Sequence, residues 1–246
     1  MRKLATCFGC ALLIIATLPA WAGVVIGGTR FVFAEHQKAL SLSLRNTSDQ
    51  PWLVNIRVLN GGDWPGSLPA SAGNVPLMVT PPLFSLKSRG ENNVRIISTN
   101  SNLPKDRESL FTLSVASIPS GRPGPDSVQL AVRSRLKLFW RPDGLKGSPD
   151  NAYRQLRWQI TQSGLMVSNP TPYYVTVFKL NVDGQAVDNA GVVAPFSDRH
   201  TPWCKGKTVC PLRWQSINDY GRVMPVVTLS VSGNANVSTT DKIDRR

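Results

Sequence analysis

Histidine is nearly missing from this chain: its 246 residues include two, His36 and His200. Each lies near a turn, with no carboxylate or cysteine at a spacing that would make it a base or a metal ligand. A serine or cysteine hydrolase needs a positioned base beside its nucleophile, and none is evident. The sequence contains no Gly-x-Ser-x-Gly elbow, no H-x-x-x-H pair and no phosphate-cradling loop. Glycan hydrolysis would need two facing carboxylates. Asp106 and Glu108 are close in sequence, but their surroundings read as structural. No catalytic residue, metal site or cofactor is nominated, and an enzyme is not expected.

Long apolar runs are scarce too. The run from Ala11 to Leu18 follows Arg2 and Lys3 and precedes Ala20-Trp21-Ala22, the pattern of a secretory signal peptide spanning residues 1–22 and cut before Gly23. It is short for a bilayer span, and no later run is longer, so membrane insertion is not expected. Of four cysteines, Cys7 and Cys10 leave with that leader. Cys204 and Cys210 remain, and in an oxidising compartment they are expected to form a local disulfide closing WCKGKTVC. A redox or metal pair would want C-x-x-C spacing and further ligands. Acid is outnumbered, with 15 Asp and Glu against 28 Lys and Arg; losing Arg2 and Lys3 takes the net charge from +13 to +11. Secretion argues against a nucleic-acid partner for this basic surface. Its charges are scattered along strands, which suits solvation and some electrostatic steering.

What is present is β structure. Valine-, threonine- and serine-rich runs alternate, broken by 19 Gly and 19 Pro, with almost no helical periodicity. Val24 to Ile26 and Arg30 to Phe33 are interrupted at Gly27-Gly28, as by a bulge or a strand switch. Ala39 to Arg45, Trp52 to Leu59, Asn93 to Ile97 and Leu110 to Ile118 follow, with a long Gly- and Pro-rich loop at 61–76. That gives roughly seven strands before Pro142, the spacing of an immunoglobulin-like sandwich. Residues 143–152 read as a linker. A second set of short strands runs from Leu156 to Ser232, ending in a polar tail. The expected architecture is all-β, two sandwich domains at 23–142 and 153–246.

One stretch stands apart, DSVQLAVRSRLKLFWRP at 126–142. Val128, Leu130, Val132, Leu136 and Leu138 recur at every second position, while Gln129, Arg133, Arg135 and Lys137 fill most sites between. This predicts a long strand with one apolar and one largely polar face. At a sheet edge it would expose unpaired backbone together with a row of aliphatic side chains. Such an edge is normally suppressed because it recruits other chains. Left open, it serves to add a strand to a partner.

Six segments together carry a resemblance: TRFVF at 29–33, TPPLFSL at 80–86, LPKDRESLF at 103–111, RLKLFWRP at 135–142, NPTPYYVT at 169–176 and INDYG at 217–221. In this order they resemble the PapD-like periplasmic chaperones of the chaperone–usher pilus pathway. The resemblance implies two immunoglobulin-like domains set at an angle, with a pilus subunit gripped in the cleft and along the first domain's edge. It maps a carboxylate anchor for the subunit's C-terminus onto Arg30 and Lys137. Donor residues map onto Val128, Leu130 and Val132, and a charged trio bridging the domains onto Glu108, Arg141 and Asp219. Pilus subunits and an outer-membrane usher are the implied partners, the periplasm the implied location, and ATP is not required. The exposed aliphatics would favour self-association of the free protein. The rival reading is a secreted two-domain adhesion or receptor-binding module, which would need no basic pair in its cleft. Ideal alternation places Lys137 on the face opposite the three donors. Either a bulge intervenes, or the cleft is approached from that other face.

Overall fold

The computed structural model describes residues 23–69, 75–99, 102–121 and 128–233. The leader expected at 1–22 lies outside them, as do Asp126 and Ser127 of the singled-out stretch. The first sandwich pairs β1 (Val24–Ile26), β3 (Leu40–Asn46), β7 (Glu91–Ser98) and β5 (Leu77–Thr80), in that order, in one sheet. Its second sheet runs β2 (Arg30–Ala34), β9 (Val132–Arg141), β8 (Ser109–Pro119), β4 (Trp52–Asn60), β6 (Leu83–Leu86). Period-two alternation points Leu42, Leu44, Val54, Ile56, Val94, Ile96, Leu113, Val115 and Leu138 into one buried cluster. Each such aliphatic contributes about 1.5–3 kcal/mol relative to exposure. At Gly27-Gly28 the chain switches sheets: β1 is antiparallel to β3, whereas β2 is parallel to β9, with Arg30 opposite Lys137.

The strand predicted across 126–142 is shorter than its alternation suggested. β9 begins at Val132, whose partner on β8 is Ser117, and β2 reaches β9 only at Lys137. Residues 128–131 have no ladder partner on either side among the described residues and lie outside the strand. Residues 132–136 are paired to β8 alone. Alternation reads side-chain faces and carries no information about which neighbours are present.

Beyond Pro142 a helical turn, α1 (Pro149–Ala152), runs into a 3-10 turn at Tyr153–Gln155. Proline at the start of α1 lacks the N–H that a first helical turn leaves unpaired anyway. Ala152 and Tyr153 are already buried in the second core. That domain has one sheet of β10 (Arg157–Thr161), β11 (Gly164–Asn169) and β15 (Ser197–Thr201). The other sheet orders β13 (Gln185–Ala186), β12 (Val175–Val182), β16 (Val209–Ser216) and β17 (Val227–Ser232), with β14 (Val192–Val193) also pairing β12. Trp158 and Trp214 meet at 5.5 Å in the core. Cys204 and Cys210 are joined in a disulfide, with Cys210 fully buried. The two domains share a local device that their sequences hide. Asn46 at the end of β3 and Asn169 at the end of β11 are buried, accept from the backbone N–H two residues on, and donate to carbonyls across the sandwich.

Candidate functional site

The parallel pairing of β2 with β9 sets Arg30 beside Lys137 at the mouth between the domains. The β8–β9 register runs from Ser109↔Trp140 to Ser117↔Val132 without a shift, so no bulge turns Lys137 around. Leu136, Leu138 and Trp140 point into the first core, while Phe139 on the opposite face is buried against Leu110 of β8 and against Val192 of the second domain. The cleft therefore lies on the face away from the core, and Lys137 reaches it by plain alternation. Of the two routes left open by the sequence, the second is the one found.

Arg30 crosses to the second domain: its Nη1 donates to Ile217 O at 2.7 Å and to Thr176 Oγ1 at 3.2 Å. Its Nε is buried, with no acceptor among the described residues. A buried guanidinium N–H without a partner is costly. Lys137 lies with Nζ 3.8 Å from the centre of the Trp64 ring. Burial, with Arg30's charge adding to it, lowers the Lys137 pKa to about 8. Burial also lowers Arg30, against a raising pull from Asp219. Both cations face a groove of about 610 Å³ whose other walls include Thr176 to Asn181, Ala186 to Gly191 and Ile217. The Arg30–Lys137 end of the groove is cationic and partly desolvated, which suits it to one carboxylate, with Asp188 among the residues of the wall.

On the neighbouring face of the joint the charged trio is assembled. Arg141 Nε donates to Glu108 Oε1 at 2.6 Å, and its two terminal nitrogens donate to the two carboxylate oxygens of Asp219 at 2.7 and 3.0 Å. Glu108 also accepts from Tyr174 N at 2.7 Å, and its own N–H donates to Pro172 O at 2.9 Å. First-domain Glu108 and Arg141 are thereby tied to second-domain Asp219, Pro172 and Tyr174. Burial raises the Glu108 carboxyl to about 7, opposed by Arg141 and the Tyr174 amide. Burial works against the charge of Arg141, but hydrogen bonds to Asp219 and the two carboxylate charges hold its pKa above the ordinary value.

The expected donor residues are the exposed ones. Val128 is 93% exposed, Leu130 70% and Val132 49%, which is unusual for three aliphatics in a row of alternate positions. His36, expected to lack a carboxylate, has one: Nδ1 lies 2.7 Å from Asp143 Oδ1, brought there from far along the chain. Both groups are exposed and no nucleophile adjoins them, so this is a surface pair. Among the described residues no group of three or more His, Cys, Asp or Glu side chains is placed to hold a metal ion, and no helix is long and apolar enough to cross a membrane.

Sequence comparison decides the family. The model of the pili and flagellar-assembly chaperone PapD N-terminal domain matches residues 23–146, and that of the PapD C-terminal domain matches residues 151–228. The chain belongs to the PapD-like family of pilus assembly chaperones. It is 47% identical over 201 residues to the fimbrial chaperone YcbF of Escherichia coli K12, covering 81% of this chain and 85% of that one. It is 36% identical to the chaperone protein FimC of the same strain, over 85% of each chain. Among solved structures, the Salmonella enterica SafA pilin in complex with the SafB chaperone gives a TM-score of 0.72 at 28% identity, covering 85% of this chain and 96% of the other. The family is one of chaperones, not enzymes, and nothing in these similarities favours an adhesion module.

Sequence reasoning missed Trp64, Thr112, Tyr174, Thr176 and Ile217 as parts of this site. Tyr174, Thr176 and Ile217 sit inside the NPTPYYVT and INDYG segments, so they were within reach. Trp64 lies in a Gly- and Pro-rich loop. A large aromatic in such a loop was the one signal available.

Proposed function

We propose that this protein is a periplasmic chaperone that captures exported pilus subunits at Arg30 and Lys137, completes their unfinished fold with its own edge, and passes them to an outer-membrane usher without ATP. The observation that carries this reading is the cleft itself: two cations side by side on parallel strands, lining one groove between the domains. A C-terminal carboxylate brings two acceptor oxygens and one negative charge to this pair of cations. Hydrogen bonds to charged groups are worth about 1.5–3 kcal/mol each. With the terminus fixed, the subunit's last strand pairs along the free side of residues 132–136 and the unpaired backbone of 128–131. Val128, Leu130 and Val132 then enter its open groove, each contributing about 1.5–3 kcal/mol. The Glu108, Arg141 and Asp219 network holds the two domains at the angle the cleft needs. Until a client arrives, the same exposed aliphatics favour pairing between free copies.

The test is co-expression with a pilin encoded beside this chain, followed by purification from the periplasm. Arg30→Ala and Lys137→Met should fold and lose the pilin. Leu130→Glu should leave folding and export near normal and also abolish co-purification. Retained pilin in all three would remove both the anchor and the donor edge.

A further inference from the structure

The loop between β4 and β5 reaches the carboxylate site from a side that family membership does not bring into view. It is a compact turn, with Trp64 N donating to Gly61 O at 3.3 Å, Ser67 N to Trp64 O at 2.9 Å, and Gly66 in the left-handed region at φ +79°. Three fastenings hold it. The Trp64 indole N–H donates to Thr112 Oγ1 at 2.8 Å, and Thr112 is fully buried directly opposite Lys137 on β8. Asp63 accepts from Arg135, on the same face of β9 as Lys137. Val192 N of the second domain donates to Pro65 O at 2.8 Å. A Cβ on Gly66 would lie 2.0 Å from Val192 O, and one on Gly191 would lie 2.1 Å from Pro65 O, so glycine at both places lets the two backbones meet.

The outcome of these fastenings is an aromatic face held 3.8 Å from the Lys137 ammonium. We infer that Trp64 is a positioning residue for carboxylate capture, holding the Lys137 ammonium in place without neutralising it and so sharpening selection for a free C-terminus. The inference rests on the anchor reading of Arg30 and Lys137. Its chemistry is particular to an indole. A carboxylate in the same place would occupy the ammonium's donors and cancel its charge before a client arrived. The ring attracts the cation through its quadrupole alone, leaving the N–H donors for the incoming oxygen atoms. A lysine free in water loses rotamer entropy when it is immobilised at binding, and one already laid against a ring loses less. Because the loop is tied to Val192, the readiness of Lys137 depends on both domains being in register.

The probe is a fluorescein-labelled peptide of alternating valine and threonine, made with a free C-terminal carboxylate and again as the amide, with binding read by anisotropy at pH 7. The quantity compared is the ratio of acid to amide affinity. A merely structural role for Trp64 would weaken both peptides alike and leave the ratio unmoved. Trp64→Leu keeps an apolar side chain, though a smaller one, and removes the ring; it should lower the ratio about tenfold, the size of a partly desolvated cation–ring contact. Trp64→Phe restores a ring and should stay within about threefold of the wild type. If Leu and Phe behave alike, or if Leu retains the full ratio while Lys137→Met loses it, the positioning role is overturned and the anchor stands. If the wild type itself does not prefer acid over amide, the anchor reading fails.

Discussion

Arg141→Met tests the interdomain network through an effect that a surface cluster would not produce. Methionine keeps most of the arginine stem's volume but removes the hydrogen bonds to Glu108 at 2.6 Å and to Asp219 at 2.7 and 3.0 Å. The Glu108 side chain is 2% exposed, so its charge is left with no cation and almost no water. Removing one partner of a buried ion pair costs roughly 3–5 kcal/mol. The pH dependence adds a sign. Burial already raises Glu108 from 4.5 to about 7 with Arg141 present, and without that guanidinium it moves higher. A raised folded pKa means the folded state holds a proton that the unfolded state releases, so Glu108 favours folding at low pH and that contribution is lost as pH climbs toward the folded pKa. In the wild type the loss is complete just above pH 7. In the variant it continues, at about 1.4 kcal/mol per pH unit. Urea unfolding at pH 6 and pH 8 should therefore show a deficit about 1 kcal/mol or more larger at pH 8. Adding Glu108→Gln should remove the difference between the two pH values and recover stability at pH 8. A deficit below about 1 kcal/mol that is equal at both pH values would refute the claim that these three side chains form a buried tie.

Three further outcomes are expected. Capture of a carboxylate-ended peptide should weaken as pH rises through about 8, because Lys137, lowered by burial and by Arg30, loses its proton there; a flat titration between pH 7 and 9.5, with Lys137→Met as the reference, would remove Lys137 from the anchor. Gly191→Ala should destabilise the joint, since its φ is +79° and its Cβ would lie 2.1 Å from Pro65 O; thermal unfolding and a small-angle scattering profile unchanged from wild type would contradict the close approach. Replacing Cys204 and Cys210 together by serine should lower the second domain's stability by about 2 kcal/mol, the loop entropy of so short a closure; calorimetry showing no change would mean that this loop is held by its packing alone.

Much of this architecture was legible because it depends on local period. The alternation in ALSLSLR at 39–45 and in the stretch after Asp126 placed residues on faces: β3 buries Leu42 and Leu44, and β9 buries Leu138 while Val132 on the same face stays exposed. What alternation cannot report is which strand lies alongside. The start of β9 at Val132 is where its pairing with β8 ceases at Ser117, although β8 itself runs on to Pro119 beside β4, and β2 joins only from Lys137 onward. The same blindness concealed His36 beside Asp143 and Trp64 beside Lys137, contacts that join a turn or loop to residues far along the chain. Arg30, Lys137, Glu108, Arg141 and Asp219 were found through short motifs rather than through charge. Their neighbours Thr176 and Ile217 are ordinary residues that act through a hydroxyl and a backbone carbonyl, and so left no compositional trace.

The unshifted register of β9 gives the strand two separate tasks. Its odd face carries Lys137 to the cleft and Phe139 to the second domain, while its even face packs Leu136, Leu138 and Trp140 into the first core. The line of that even face continues through Val132 to the exposed Leu130 and Val128. On the proposed reading a single continuous backbone links anchor to donors, and at roughly 3.3 Å per residue Leu130 lies about 23 Å from Lys137 if residues 128–131, which precede β9, extend on binding. A bulge would have made that spacing adjustable. Without one along 132–140, the proposed capture leaves a client held by its C-terminal carboxylate a single register on β9, since a slip of one residue would turn its apolar face away from the donors.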